Sequence, residues 1–95
     1  MNQTKVIGAI MRERERQNAK FGVTNPLTDP EADPFLKMAC LTEEVGEAAH
    51  AIIELSRQDT DVPHVEATIY DVIAELVQVA AVAVAMLESI PDPDA

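Results

Sequence analysis

The segment from Val72 to Leu87 constrains the fold most. All sixteen of its residues are apolar except Glu75 and Gln78. A helix that is apolar on nearly every side is buried on most sides. The segment is shorter than the roughly 20 residues that span a bilayer and carries a carboxylate. We therefore predict a buried helix of a water-soluble protein, with no membrane partner.

The rest of the composition also favours helices. The chain has 95 residues, of which 47% are hydrophobic, yet it contains only two Phe, one Tyr and no Trp. A core made of Ala, Val, Ile, Leu and Met is more typical of helices than of a β-sandwich. A chain of this length forms one domain. We predict a single all-α domain over residues 1–95, with a disordered tail at 91–95.

Capping residues and prolines divide the chain into three predicted helices. The first begins near Thr4 and stops at Gly22, and a loop follows to Asp33. Asp33 before Pro34 begins the second helix, which runs to about Ser56. Asp61 before Pro63 begins the third helix in the same way, and it continues to about Ser89. Because the connection is short, the second and third helices should form an antiparallel α-hairpin.

The net charge limits the partners. Seventeen acidic and seven basic residues give a formal charge of −10, which repels nucleic acids and anionic membranes. Direct nucleic-acid binding is not expected, although divalent cations would still allow a polyphosphate to bind. The N-terminal apolar run at 6–11 is too short for a signal peptide, so we expect a cytoplasmic location.

The second helix carries three closely spaced glutamates, Glu43, Glu44 and Glu47. We predict that Met38, Val45, Ala49 and Ile52 form its packing stripe, with Leu41, Ala48 and Leu55 beside it. Glu43 and Glu47 then lie on roughly the opposite side, and Glu44 lies at the border. A solvated surface is the simplest interpretation of these glutamates. Against it, no Lys or Arg lies three or four residues further along the helix to relieve their repulsion, and Gly46 costs about 1 kcal/mol inside a helix.

Glu75 gives the stronger indication of a metal site. A carboxylate in so apolar a helix must be paired or must bind a metal, and no Lys or Arg occurs after Arg57. In an antiparallel hairpin Glu75 would face the glutamates of the second helix. Because these carboxylates repel one another, the arrangement requires a divalent cation between the helices. Hard oxygen ligands indicate Mg²⁺ or Mn²⁺ rather than zinc. Gln78 and Asp71 share the stripe of Glu75.

These motifs resemble a known family. The pattern Glu-Glu-x-x-Glu in LTEEVGEAAHAI, followed by ELVQVAAVAVA, and the segment RERERQNAKFG at 12–22 resemble the small MazG-like all-α nucleoside triphosphate pyrophosphohydrolases of phages and bacteria. The resemblance covers nearly the whole chain. It implies Mg²⁺-dependent hydrolysis of (deoxy)nucleoside triphosphates to a nucleoside monophosphate and pyrophosphate.

The resemblance also implies roles for individual residues. Glu44, Glu47 and Glu75 would hold Mg²⁺, and Glu43 would activate the attacking water or bind a second ion. The fourth ligand of the family is an aspartate, and Gln78 stands in its place. Gln78 can offer a carbonyl oxygen, and Asp71 can supply the missing charge. Weak metal binding, altered substrate choice and lost catalysis remain the other interpretations.

A triphosphate also needs cationic contacts, and a base can stack on an aromatic ring. The candidates are Arg16, Lys20, Lys37 and Phe21. For Arg16 and Lys20 the alternative is a solvated helix end, and Phe21 could instead close the core.

A second copy of the chain is the expected protein partner. In a chain of three helices, the other two cannot cover a third helix that is apolar on nearly every side. We therefore predict a homodimer or a dimer of dimers that completes a four-helix bundle. The competing function is a non-catalytic acidic module, such as a DNA mimic or an antitoxin-like partner. It does not explain why Glu75 and Gln78 interrupt an apolar helix.

Overall fold

The computed structural model of the chain describes residues 1–22, 25–57 and 68–94. Within these ranges it has three helices and no strand: α1 (Gln3–Phe21), α2 (Pro34–Ser56) and α3 (Ile69–Glu88). The all-α prediction is confirmed. The predicted helix start at Asp61 and Pro63 and the end of the tail at residue 95 lie outside the described residues.

The ends of α1 and α2 follow local capping chemistry. Asn2, rather than the predicted Thr4, caps α1, because its side chain accepts a hydrogen bond from the Lys5 amide at 2.9 Å. Gly22 ends the helix with φ of +59°, a conformation that glycine adopts without steric cost. α2 begins as predicted, with the Asp33 carboxylate accepting from the Phe35 amide at 2.9 Å and Pro34 in the first turn.

The predicted third helix is not continuous through residue 68, and α3 begins at Ile69. Thr68 has extended backbone angles, φ −119° and ψ 165°, and forms a capping box with Asp71. The Asp71 carboxylate accepts from the Thr68 amide at 2.7 Å. This reciprocal pair satisfies two backbone donors that a helix start leaves open. The helix ends at Glu88, close to the predicted Ser89.

α3 is the central helix and packs against both α1 and α2. Lys37 near the start of α2 bonds to Ser89 at the end of α3, whereas Glu47 in the middle of α2 lies beside Glu75 in the first half of α3. Sequence position therefore rises along α2 as it falls along α3. The predicted antiparallel arrangement of α2 and α3 is confirmed.

The predicted packing stripe of α2 is wrong in the single chain. Met38, Val45 and Ile52 are about half exposed, at 52%, 49% and 47%. The buried apolar residues of α2 are Ala48, which was predicted to lie beside the stripe, and Ala51, which was not predicted. These small side chains allow α2 to lie close to α3. Glu44 lies on the same face of α2 as Ala48 and Ala51 and is half-buried.

Much of the apolar surface of α3 remains exposed. Its buried residues are Val72, Ala81, Val82 and Ala85, but Leu76 and Leu87 are 48% and 68% exposed. α3 is also long and apolar enough to cross a bilayer. This is weak evidence for a membrane span, because core helices of soluble proteins have the same length and composition.

Candidate metal centre

Three glutamates from two helices converge on one point. Glu44 and Glu47 are three residues apart on α2 and so share a face, and Glu75 faces them from α3. One carboxylate oxygen from each lies within 4.8 Å of the others. Two ligands of one Mg²⁺ lie at most about 4.2 Å apart, so small side-chain rotations would let all three bind one ion. We call Glu44, Glu47 and Glu75 the acidic cluster.

Two oxygens of the acidic cluster have no partner. Oε2 of Glu44 and Oε2 of Glu75 are buried and accept no hydrogen bond. Burying an unpaired polar atom costs about 1–3 kcal/mol, and more for a charged group. Native proteins rarely retain such atoms without a ligand or a functional reason. The donor set therefore fits a hard divalent cation, which carboxylate oxygens prefer as ligands.

The electrostatics of the cluster are unfavourable without a cation. Burial raises the pKa of Glu44, and the nearby charges of Glu47 and Glu75 raise it further. Burial also raises the pKa of Glu75, followed by the charge of Glu47. Without a cation, Glu44 and Glu75 therefore bind protons more readily than an exposed carboxyl group does. A divalent cation would replace those protons.

The remaining predicted ligands lie around the cluster. Asp71 is close enough for its charge to raise the pKa of Glu75, but its Oδ2 already accepts two hydrogen bonds from Thr68. Gln78 is half-buried and lines a cavity together with Glu43 and Glu44. Glu43 is exposed and borders both cavities beside the cluster.

The first cavity is strongly acidic. It has a volume of about 530 Å³ and contains Glu43, Glu47, Asp71, Glu75 and Glu54. His50 also lines it, with Nε2 3.8 Å from the Glu54 carboxylate. Gly46 opens onto this cavity, and a Cβ at that position would meet nothing within 4 Å. Open space, rather than a neighbouring backbone, surrounds this glycine.

The second cavity brings together residues of all three helices. Its volume is about 330 Å³. Three of the predicted substrate-binding residues, Arg16, Lys20 and Phe21, line it. The Lys20 ammonium lies 5.3 Å from the centre of the Phe21 ring. Arg16 forms two hydrogen bonds with Glu13, at 2.6 and 2.8 Å, and is close enough to Glu44 for that charge to raise its pKa slightly, after the larger effect of Glu13.

The fourth predicted substrate-binding residue lies elsewhere. Lys37 lines neither cavity. Its side chain is buried, and its ammonium donates to the Ser89 hydroxyl at 3.0 Å. Lys37 therefore connects α2 to the C-terminal end of α3.

Sequence reasoning missed Gln17 and the buried position of Arg14, which the sequence suggests only as one of several cations available to a triphosphate. Arg14 is only 2% exposed and forms a bidentate pair with Glu88, at 2.7 and 3.1 Å. Its third hydrogen bond, at 3.0 Å, goes to Oε1 of Gln17. A sequence pattern could have indicated that they are buried, because Ile10, Arg14 and Gln17 recur at helical spacing on one stripe of α1. The alternating charges of RERER concealed it.

In the three comparisons with known proteins, neither a protein-family model, a curated protein nor a solved structure matches this chain.

Proposed function

We propose that the chain is a cytoplasmic, Mg²⁺-dependent nucleoside triphosphate pyrophosphohydrolase, with Mn²⁺ as an alternative cation. The two buried, unpartnered oxygens of Glu44 and Glu75 carry this proposal. They belong to different helices and lie beside a third carboxylate, and Glu44 also lines the cavity that contains cationic side chains. The resemblance to the MazG-like pyrophosphohydrolases supports the same reaction.

The acidic cluster would hold the ion, with Gln78 or Asp71 completing or orienting the ligand set. When bound, such an ion neutralises negative charge on phosphoryl oxygens and makes water more acidic. Glu43 is exposed at the border of both cavities. It would either accept a proton from the attacking water or bind a second ion.

The reaction forms one bond and breaks another at the α-phosphorus. The water oxygen bonds to the α-phosphorus, the bond from that atom to the bridging oxygen breaks, and pyrophosphate leaves. Where Glu43 acts as the base rather than as the ligand of a second ion, it would accept the proton released from the water. Arg16 and Lys20 would contact the phosphates at the edge of the second cavity, and Phe21, 46% exposed, offers a ring face to the base.

A second copy of the chain would cover the exposed apolar surfaces. The exposed apolar residues include the stripe of Met38, Val45 and Ile52 on α2 and Leu76 on α3. A homodimer or dimer of dimers would bury them in a four-helix bundle. Sedimentation at micromolar concentration should show a dimer or tetramer, and a stable monomer would contradict this part of the proposal.

The test of activity is pyrophosphate release from a panel of nucleoside triphosphates with Mg²⁺. Glu47→Ala should lower release at least about 100-fold, because even loss of an outer-shell partner of a metal site costs 10–100-fold. Glu15→Ala, an exposed acidic position on α1, is the matched control and should keep wild-type activity. Equal rates for Glu47→Ala and wild type would refute the catalytic assignment.

The charge of −10 supports a second candidate, an acidic module that imitates nucleic acid or binds a basic partner. Thermal melting distinguishes the two functions. A cation that binds only the folded chain raises the melting temperature, so no shift at millimolar Mg²⁺ would favour the acidic module.

A further inference from the structure

The first half of α1 projects beyond the C-terminal end of α3. Arg14 bonds to Glu88, the last residue of α3, whereas Phe21 lines a cavity together with Gln78. α1 therefore runs antiparallel to α3, and the residues before Arg14 lie past its end. Among the described helices, α1 packs against α3 alone. At 1.5 Å per residue, residues 3–12, which we call the arm, extend by on the order of 15 Å.

The arm carries an exposed apolar face. Ile7, Ile10 and Met11 recur at helical spacing on the side of α1 that also holds the buried Arg14. Val6, Ile7 and Met11 are 37%, 52% and 47% exposed. The face of α1 that α3 covers at Arg14 therefore continues uncovered along the arm.

A second apolar stripe runs the whole length of α3. Ile69, Leu76 and Leu87 lie within about 20° of one another around the helix, and they are 54%, 48% and 68% exposed. We call them the α3 stripe. They span roughly 27 Å along the helix axis. A continuous exposed apolar surface of this kind is typical of a protein–protein contact.

The distribution of charge identifies a second copy of the chain as the occupant. Residues 1–22 contain five of the seven basic residues but only two of the seventeen acidic ones, so the rest of the chain carries a formal charge of −13. The arm itself contains Lys5 and Arg12 and no acidic residue. A basic arm is attracted to an acidic surface, and the largest part of this chain provides one.

The first cavity is the acidic surface that lacks cations. It contains five carboxylates, and the described residues that line it include no Lys or Arg. It lies beside Asp71 and Glu75 in the first half of α3, whereas the arm of the same chain lies past the other end of that helix. Its own arm therefore cannot reach it.

We propose that two copies associate in antiparallel orientation through their α3 stripes, and that the arm of each copy lies along the first cavity of the other. Antiparallel pairing brings the C-terminal end of one α3 towards the first half of the other α3, where the cavity lies. Lys5 and Arg12 thereby supply the cations that the cavity lacks. The association is independent of the proposed function, whereas the contribution of these cations to triphosphate binding rests on it.

Sedimentation equilibrium measures the association. Ile7→Glu on the arm and Leu76→Glu on the α3 stripe should each raise the Kd of self-association at least about tenfold. Ala19→Glu, which adds the same charge at an exposed position on another side of α1, should leave the Kd unchanged. The wild-type Kd should also rise with ionic strength, because salt screens the attraction between the arm and the carboxylates. Equal Kd values for Ile7→Glu and Ala19→Glu would overturn the role of the arm.

Zero-length carbodiimide cross-linking locates the arm. In an equimolar mixture of ¹⁵N-labelled and unlabelled chains, Lys5 of one chain should link to Glu43, Glu47 or Glu54 of the other. Links from Lys5 only to Asp92 or Asp94, or the absence of links between labelled and unlabelled chains, would overturn the placement of the arm.

Complementation separates the two proposals. Glu75→Gln keeps the arm but lacks a cluster ligand, and the double variant Lys5→Glu with Arg12→Glu keeps the cluster but lacks a basic arm. Each should be impaired in hydrolysis. An equimolar mixture should regain about a quarter of wild-type activity, because half of the dimers are mixed and each of these has one complete site.

Association and cross-linking without hydrolysis by wild type would overturn the proposed function and support the interface. Hydrolysis by a stable monomer would overturn the interface and leave the proposed function intact. A monomer that binds phosphatidylserine vesicles, with binding lost in Ile7→Glu, would show that the arm contacts a membrane and would also overturn the interface.

Discussion

α3 carries two charged regions that are organised in opposite ways. In its first half, Glu75 faces Glu44 and Glu47, and two of their oxygens lack partners. At its C-terminal end, Arg14 pairs with Glu88 and Lys37 bonds to Ser89. We call these four residues the C-terminal cluster. Both regions place polar groups against an apolar helix, but only the C-terminal cluster contains an ion pair of opposite charges.

The difference shows which charges hold the fold together. The last turn of α3 contains no basic residue, so the cations that favour a helix C-terminus come from α1 and α2. Arg14 and Lys37 thereby tie the three helices together. The acidic cluster lies at an interface of two of the same helices and opposes their association. A region that weakens the fold and leaves oxygens unpaired indicates a ligand.

The largest effect on stability is expected in the C-terminal cluster. Glu88→Ala leaves the guanidinium of Arg14 buried without its carboxylate, and should lower the free energy of unfolding by about 3 kcal/mol. Arg14→Met should cost less, because Glu88 is 45% exposed and water can solvate it. Urea unfolding measures both values, with Glu15→Ala as the control. A larger loss for Arg14→Met than for Glu88→Ala would contradict this account.

The acidic cluster should respond in the opposite direction. Glu75→Gln removes one of three crowded charges and should raise the melting temperature of the metal-free protein at pH 7. We expect about 5 °C, the shift that roughly 1 kcal/mol produces in a domain of this size. The same substitution should abolish any increase in melting temperature caused by Mg²⁺. Destabilisation of the metal-free protein would mean that Glu75 has a stabilising partner.

The smallest effects concern pH, and here the two regions should diverge. The pKa of Glu75 in the folded protein is raised, mainly by burial, so its contribution to stability is present below the ordinary glutamate pKa of 4.5 and is lost as pH rises through the raised value. The pKa of Glu88 is lowered, mainly by its hydrogen bond to Arg14. Its contribution is present above 4.5 and is lost as pH falls through the lowered value.

Unfolding in urea with EDTA between pH 3 and pH 8 measures this divergence. The stability gained by Glu75→Gln over wild type should grow as pH rises. The stability lost by Glu88→Gln should shrink as pH falls. Parallel profiles for the two variants would show that the regions are not electrostatically different.

The sequence predicted those parts of the fold that depend on neighbouring residues. Asp33 before Pro34 determined the start of α2, and Gly22 determined the end of α1. The start of α3 was predicted wrongly because the capping box of Thr68 and Asp71 was overlooked, although it is also a local signal. Glu75 was predicted to need a counter-charge because its own helix offers no cation.

Local sequence patterns did not fully determine which face each helix buries. Large apolar residues suggested a stripe through Val45 and Ile52, yet the smaller Ala48 and Ala51 lie against α3, because close approach of two helices depends on side-chain volume at the contact. Similarly, Lys37 was predicted to bind the substrate, but its ammonium bonds to Ser89 at the end of α3. A charged side chain on one helix can find its hydrogen-bond partner on another helix, which a local pattern does not reveal.

The sequence by itself therefore determined the helical class, the start of α2, the ends of all three helices, and the need of Glu75 for a counter-charge, because these follow from residues within a few turns of each other. Only the tertiary structure decided that Glu44 and Glu47 lie beside Glu75, and that Arg14 pairs with Glu88. Those contacts join residues that are distant along the chain, and the packing of α3 against its two neighbours brings them together.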